Sequence, residues 1–291
     1  MVCIRTENEV GARNAQVFAR PARTEKSVRA DRRLRTDDEA IRTQATIFEE
    51  TVFLILKQIL RVKSRPDSVV RSALPGTFDI RCVACPRLAG FLAKVRAEHP
   101  DYHACPVPPF GDVRAKLLVV GLAPGMHGAN RTGRPFTGDY AGILLYRTLH
   151  KFGFASHDGS DDPGDGLRLT GCRVTNAVKC LPPQNKPEPA EVRRCNGFLA
   201  AELAEVRPLA ILALGAVAHR AVLMALGLRA REYPFRHRAA YNLPPGVDSK
   251  KNARLFSSYH CSRYNTQTKR LSAVMFEAVF CDIQAFLLRS R

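Results

Sequence analysis

The sequence contains no run of about 18 consecutive apolar residues, the length that a membrane-spanning helix requires. Its first residues, MVCIRTENEVGARN, carry charges where a secretory signal peptide needs an apolar stretch. We therefore expect a cytoplasmic protein without a membrane partner. In that reducing compartment the nine cysteines are not expected to form a disulfide framework, and some of them are expected to bind metal.

Two common nucleotide-binding motifs are also absent. The glycine-rich segment that begins GLAPGMHG at residue 121 lacks the GK[ST] ending of a P-loop, and it is not a GxGxxG motif. The predicted strands also carry no acidic metal ligands. A P-loop-like nucleotidase is therefore disfavoured, and the glycines indicate close approach of the backbone to a planar or phosphate-bearing ligand.

Acidic residues are scarce relative to basic ones: 27 Asp and Glu stand against 45 Lys and Arg, a formal net charge of +18. Most of this excess lies after residue 70. It favours a polyanionic partner, nucleic acid before an anionic membrane surface, although a generally arginine-rich composition would explain it as well. We interpret residues 1–70 as a basic, flexible extension with one helix near residues 47–62, or in part as sequence upstream of the true start.

The remainder, residues 77–291, alternates between strand and helix patterns. Continuous apolar runs predict buried strands at residues 116–120, 172–178, 209–214 and 255–259. Helical patterns follow them at residues 142–152, 189–206, 216–226 and from about residue 271. Four such alternations predict an α/β fold, a three-layer α/β/α sandwich around a four-stranded parallel sheet.

Ligands of such sheets bind beyond the carboxyl ends of the strands, where three polar segments converge. Asn176 lies on an otherwise apolar strand, and its amide offers the donor and the acceptor that the edge of uracil or hypoxanthine requires. His260 follows the fourth strand and can donate to a carbonyl that gains negative charge. Phe136 suits stacking on a base, or plugs its own loop. Asp139 is a candidate acid, base or cation stabiliser, or else a helix N-cap.

Four cysteines form the strongest candidate metal site. Cys82 and Cys85 give a C-x2-C pair, and Cys180 and Cys195 form a second pair. Four thiolates suit zinc or an iron–sulfur cluster, and the spacing does not separate the two. Cys105 is a possible substitute ligand.

Three segments carry a resemblance to a known family: GLAPGMHGANRTGRPFTGD (121–139), TNAVKCLPPQNKPEP (175–189) and SYHCSRYNTQTKRLS (258–272). They closely resemble the family 5, or type B, uracil-DNA glycosylases, over about residues 78–288. The resemblance implies the uracil-DNA glycosylase fold and a [4Fe-4S] cluster on the four cysteines named above. It also implies a catalytic role for Asp139, contacts of Asn176 and His260 with the extruded base, and stacking by Phe136.

The first motif implies further contacts and one departure. Gly121 and Ala123 are expected at the base, and Ala123 stands where more familiar uracil glycosylases carry a carboxylate that activates water. Cys261 replaces the residue that relatives usually have after the histidine. Contacts with DNA are expected from six residues of the first and third segments: Arg131, Arg134, Ser262, Arg263, Asn265 and Gln267.

The resulting hypothesis is a DNA repair enzyme, monomeric and associated with the nucleoid. It would flip uracil, hypoxanthine or xanthine out of double-stranded DNA and hydrolyse the N-glycosidic bond, leaving an abasic site. The competing interpretation is a non-catalytic iron–sulfur or zinc DNA-binding module. That alternative explains the charge and the cysteines, but not the convergence of Asn176 with His260.

Overall fold

The computed structural model describes residues 78–244 and 253–290. All of them belong to one compact unit, Arg71–Arg291. The predicted N-terminal extension and its helix near residues 47–62 lie outside the described residues. Within the described ranges, no helix combines the length and the apolar character needed to cross a membrane.

A six-stranded mixed sheet organises the unit, in the order β1-β3-β2-β4-β6-β5. The four central strands are parallel, as predicted, and the two edge strands pair antiparallel with β3 and β6. The prediction of four strands therefore needs correction. The strands are β1 (Phe110–Gly111), β2 (Leu117–Gly121), β3 (Cys172–Asn176), β4 (Ala210–Leu214), β5 (Ala240–Asn242) and β6 (Arg254–Ser258).

Helices cover both faces of this sheet. They are α1 (Pro86–Glu98), α2 (Ala129–Thr132), α3 (Tyr140–Lys151), α4 (Pro189–Val206), α5 (Ala216–Ala225), α6 (Arg263–Gln267) and α7 (Ala273–Arg289). Single 3-10 turns lie at Pro183–Asn185 and Ala230–Glu232. The predicted bounds of α4 are confirmed, because Pro189 occupies its first turn and a capping box of Glu188 and Glu191 fixes its start.

Two apolar cores separate the layers. Along β2, Leu117 and Val119 join the core that α3 and α7 complete, while Leu118 and Val120 join the core beneath α1, α4 and α5. All four side chains are fully buried, which explains why the strand reads as one continuous apolar run. The three-layer α/β/α arrangement is thus confirmed.

The carboxyl ends of the parallel strands meet at one edge of the sheet. Gly121 pairs with Asn176 in the register of β2 and β3, and Leu214 pairs with Ser258 in that of β4 and β6. The pairing continues past the strands, since the amides of Ala177 and Val178 donate to the carbonyls of Gly121 and Leu122, each at 3.0 Å. The residues that follow β2 and β3 are therefore held side by side, and those that follow β6 lie at the same edge, on the far side of β4.

Candidate active site

A cavity of about 400 Å³ opens at this edge of the sheet. The structure brings into its lining all four residues predicted to act on a base: Phe136, Asp139, Asn176 and His260. Ala123 lines it as well, at the position where a carboxylate was noted as missing. The four side chains come from three separate chain segments, which the parallel sheet places together.

Gly121 lies behind this cavity and determines how closely two of its walls approach. A Cβ at Gly121 would collide with Oδ1 of Asn176 and with the ring of Phe136. Both neighbours are buried, so neither side chain can move aside without disturbing its surroundings. The absence of a side chain at Gly121 is thus required for space, and its predicted contact with the base stays a prediction.

Phe136 is held in an unusual backbone conformation. Its φ is +56°, in the left-handed region that side chains other than glycine rarely adopt, and only 5% of the residue is exposed. The ring lies against His260, with a centroid distance of 5.9 Å and an interplanar angle of 27°. Phe136 therefore plugs its loop and lines the cavity at the same time.

Asp139 is the N-cap of α3, since its Oδ1 accepts from the amide of Gly142 at 2.9 Å. The other oxygen, Oδ2, lies against Gly128, where a Cβ would collide with it. Burial raises the pKa of this carboxyl above its usual range, although two backbone amides oppose the shift. The side chain thus caps a helix while it faces the cavity.

Asn176 ends β3 with a side chain whose acceptor is unused. The residue is 3% exposed, and its buried Oδ1 has no hydrogen-bond partner. A buried polar atom without a partner costs free energy, so such an atom at a cavity wall indicates a ligand that supplies the missing donor.

His260 faces Asn176 across the cavity. The residue is only half-buried, yet the surrounding protein desolvates its imidazole and lowers its pKa to about 4. The ring is therefore neutral at physiological pH and can act as a hydrogen-bond donor. Its backbone carbonyl accepts from the side-chain amide of Asn265 at 2.8 Å, which fixes the chain after β6.

Two of the predicted DNA-contacting residues after β6, Ser262 and Arg263, line the cavity. Arg263 and Gln267 are exposed on α6, and Ser262 caps that helix by accepting from the amide of Asn265. The guanidinium of Arg263 lies 5.5 Å from the ring centroid of Tyr140. On the opposite loop, Arg131 is half-buried and donates from Nε to the carbonyl of His127 at 2.8 Å.

Arg134 is enclosed by protein groups in this structure, and its contact with DNA stays a prediction. Only 6% of the residue is exposed, and its guanidinium forms a 2.5 Å ion pair with Asp165. Hydrogen bonds to Ser160 and Thr137 occupy further donors. An arginine enclosed in this way has no donor left for a phosphate.

Two polar or aromatic residues of the cavity wall were not predicted. Tyr140 follows Asp139 at the start of α3, lines the cavity and is 39% exposed. Its position at a helix start did not predict a place in the cavity wall. Asn185 lines the cavity from the turn after β3, with a φ of +56°. Its position in the polar PPQNKP segment was the one available signal.

The four cysteines line a second, smaller cavity of about 70 Å³. Sγ of Cys195 accepts from the amide of Lys179 at 3.3 Å, and burial together with the neighbouring thiols raises the pKa of Cys180 to about 12. Among the described residues, no group of His, Cys, Asp or Glu is arranged to hold a single metal ion. Cys105 does not line this cavity and is contacted by Arg96 instead.

Comparison with known proteins identifies the family. The sequence model of the Uracil DNA glycosylase superfamily matches residues 108–284. A type-5 uracil-DNA glycosylase of Thermus thermophilus is 48% identical over 209 residues, which cover 69% of this chain and 91% of the relative. A type-5 enzyme of Pyrobaculum aerophilum is 42% identical over 197 residues, 66% of this chain and 83% of the relative. A type-4 uracil-DNA glycosylase of the same organism is 33% identical over 132 residues, 45% of this chain and 60% of the relative. The chain therefore belongs to the uracil-DNA glycosylase superfamily, and within it to the type-5 uracil-DNA glycosylases.

Proposed function

We propose that the protein is a monofunctional DNA glycosylase that removes uracil, and also hypoxanthine and xanthine, from double-stranded DNA. The side chain of Asn176 carries this proposal, because its Oδ1 has no hydrogen-bond partner and the residue lines a cavity that Asp139 and a neutral His260 also line. The names of the type-5 and type-4 relatives support uracil as a substrate. The two purines are inferred from the chemistry of the amide.

Asn176 would recognise the lactam edge that the three bases share. Each base presents an N–H beside a carbonyl, so that Oδ1 accepts from the ring N–H while Nδ2 donates to the carbonyl. Phe136, which lines the cavity, would stack on the face of the flipped base. The wall at Ala123 leaves room beside the base instead of a second carboxylate.

Hydrolysis breaks the C1′–N bond, and the bonding electron pair leaves with the base. A neutral His260 would donate a hydrogen bond to the base carbonyl that gains negative charge, without giving up its proton. The Asp139 carboxylate would stabilise the oxocarbenium-like sugar or orient the water that adds to C1′. The remaining water proton then neutralises the released base, and an abasic site stays in the DNA.

The partner would be duplex DNA, bound by one copy of this chain. Arg263 lines the cavity and would contact a phosphate there, and Arg131, from the loop after β2, would contact a second one. Helix α6, with Tyr264 70% exposed on its first turn, would approach the vacated stack. Such a protein would be associated with the nucleoid.

We propose further that Cys82, Cys85, Cys180 and Cys195 hold a [4Fe-4S] cluster. The donor set fits, since four sulfurs and no carboxylate line the small cavity. A cluster spreads its ligands more widely than zinc, whose sulfurs all lie about 2.3 Å from the ion. Its contribution would be structural, because it ties the start of α1 to α4 and to the loop after β3.

Asp139→Asn is the direct test of the chemistry. Asparagine caps helices as well as aspartate does, so this variant removes the charge and keeps the cap. We expect single-turnover release of uracil from duplex DNA to fall on the order of 100-fold, with thermal unfolding unchanged. Asp158→Asn, on an exposed loop, is the matched control.

The outcomes separate the proposals. Near-normal rates in Asp139→Asn would remove that carboxylate from the mechanism. If the wild-type protein binds duplex DNA but produces no abasic sites from any of the three bases, the non-catalytic DNA-binding module is the better interpretation.

The cluster is tested by composition. Anaerobically purified protein should be brown and contain four iron and four sulfide per chain, whereas Cys195→Ser should lose both. Cys281→Ser, an exposed cysteine outside the small cavity, should keep them. Colourless protein with one zinc per chain would refute the cluster.

A further inference from the structure

The buried Arg134 joins two loops that approach each other beside the cavity. Its guanidinium forms a bidentate pair with Asp165, at 3.0 Å to Oδ1 and 2.5 Å to Oδ2. Its other hydrogen bonds reach Thr137 Oγ1, Ser160 Oγ and the carbonyls of Asp162 and Pro163. All nitrogens of the guanidinium are thus bonded, and the six acceptor atoms belong to Thr137, beside Phe136, and to four residues of the loop 156–168.

The same two loops are joined by contacts that do not involve Arg134. The amide of Gly138 donates to the carbonyl of Ser160 at 2.8 Å, and the hydroxyls of Ser160 and Thr137 are 2.7 Å apart. Asp165 also accepts from the amide of Leu167 at 2.9 Å. The loop of residues 156–168, called the acidic loop below, is therefore hydrogen-bonded to residues 134–138, the segment directly before Asp139.

The fastened segment contains a backbone that needs support. Phe136 has a φ of +56°, and such a conformation persists when its surroundings determine it. The residues on both sides of it are fixed: the carbonyl of Pro135 accepts from the hydroxyl of Tyr146 at 2.7 Å, and Thr137 is bonded to Arg134 and Ser160. These bonds fix the backbone around Phe136, in addition to the packing of its ring in the apolar core.

The charge around the fork opposes a direct role on DNA. The loop that carries Asp165 also holds the exposed Asp158, Asp161 and Asp162. Phosphates would be repelled from this loop, while one buried arginine is attracted to it. The guanidinium of Arg134 thus binds groups of the protein itself.

We propose that Arg134 and Asp165 are positioning residues of the active site. Their ion pair fixes the segment of residues 134–138 on the acidic loop, so that Phe136 keeps its place at the base and Asp139 its place at the sugar. The inference rests on the proposed glycosylase function.

Arg134→Lys tests this arrangement, because lysine keeps the charge but cannot form the planar fork. We expect the single-turnover rate of uracil release to fall about 10- to 100-fold, while the dissociation constant for duplex DNA changes less than twofold. Ser160→Ala removes only one hydroxyl from the same arrangement and should show a smaller loss of the same kind. Arg168→Lys, on the exposed end of the same loop, should leave both quantities unchanged.

The pH profile distinguishes positioning from general loss of stability. Burial raises the pKa of Asp139, whereas its bond to Gly142 belongs to α3 itself. Loosening the segment admits water, lowers that pKa, and should move the acid limb of the rate profile to lower pH in Arg134→Lys. The groups that face Asp139 from elsewhere are His260, Cys261, Arg263 and Tyr140, and none of them is altered.

Each outcome has one meaning. Leu223→Ala, in the opposite core, supplies a destabilised control whose acid limb should stay in place. A folded Arg134→Lys with normal rate and an unmoved limb would overturn the positioning role, and so would weaker DNA binding at an unchanged rate. If Arg134→Lys does not fold, a normal rate and limb in Ser160→Ala would overturn it. A wild-type protein without glycosylase activity would instead remove the proposed function.

Discussion

The carboxylate of Asp139 faces two ways. Oδ1 accepts from the amide of Gly142 and begins α3, while Oδ2 lies beside Gly128 at the cavity. Both interpretations that the sequence left open for this residue are therefore compatible, because one oxygen suffices for each. Variants that remove the whole side chain mix a loss of helix capping, about 1 kcal/mol, with any loss of chemistry.

Gly121→Ala tests whether activity requires the space that the missing side chain of Gly121 leaves. The added Cβ meets Oδ1 of Asn176 and the ring of Phe136, so we expect displacement of both and at least a tenfold loss of uracil release in single-turnover assays. Gly197→Ala is the matched control: nothing lies within 4 Å of its Cβ, and in the middle of α4 the change should stabilise the protein by about 0.5–1 kcal/mol. Normal activity in Gly121→Ala would contradict the described packing.

The lowered pKa of His260 predicts that the free energy of unfolding depends on pH. Its pKa is about 4 in the folded protein and about 6.5 when unfolded, so between these values the unfolded chain binds a proton that the native state does not. Stability should therefore fall as the pH drops from 7 to 5. Over that interval the melting temperature of His260→Asn should fall less than that of the wild type. Equal losses in the two proteins would place the imidazole in contact with water.

The sequence predicted which residues meet at the cavity, but not how the loops are held. Asn176 and His260 could be placed because strand ends of a parallel sheet share an edge. Arg134 could not, since its partner Asp165 lies 31 residues later in an irregular loop. An arginine in a glycine-rich loop suggests a phosphate contact until a buried carboxylate is found beside it.

At the scale of elements, length decides what can be predicted. The central strands are five residues each and fully or largely buried, so their apolar runs are visible in the sequence. The edge strands β1 and β5 span two and three residues, too few for any periodicity. The helix α1 was not predicted from the sequence. It begins directly after Cys85, one of the cysteines of the C-x2-C pair.

A buried charge network fastens α4 to β3. Glu202 accepts from Nε of Arg173 at 2.9 Å, from the hydroxyl of Thr175 at 2.8 Å and from Nζ of Lys179 at 3.2 Å. Lys179 also donates to the Thr175 hydroxyl. The network lies between Asn176 and the cysteines of the small cavity, so it links the two sites through one helix and one strand.

Glu202→Gln should expose the cost of breaking this network. Two buried cations lose their counter-charge, and we expect about 3–5 kcal/mol less free energy of unfolding in urea. Glu205→Gln, exposed three residues later on the same helix, should change it by less than about 0.5 kcal/mol. A small effect at Glu202 would mean that water reaches the network.

At the scale of the whole molecule, the net charge of +18 predicts binding that weakens with salt. If Arg263 contacts a phosphate at the cavity mouth, Arg263→Gln should reduce the slope of log K against log salt by about one. Fluorescence anisotropy with duplex DNA measures this slope. Arg229→Gln, beyond the far end of α5, should keep it, and an unchanged slope in Arg263→Gln would place that residue off the DNA.

The short edge strands also bear on how the protein avoids self-association. Apolar strands such as AILAL would template pairing with other chains if they lay at the margin of a sheet. Within residues 78–244 and 253–290, every such strand is internal, and the edge strands are β1 and β5, which span two and three residues. Aggregation on heating should therefore require that an edge strand first detaches from the sheet. Mutations that loosen β5 should then make the protein precipitate before they prevent it from folding.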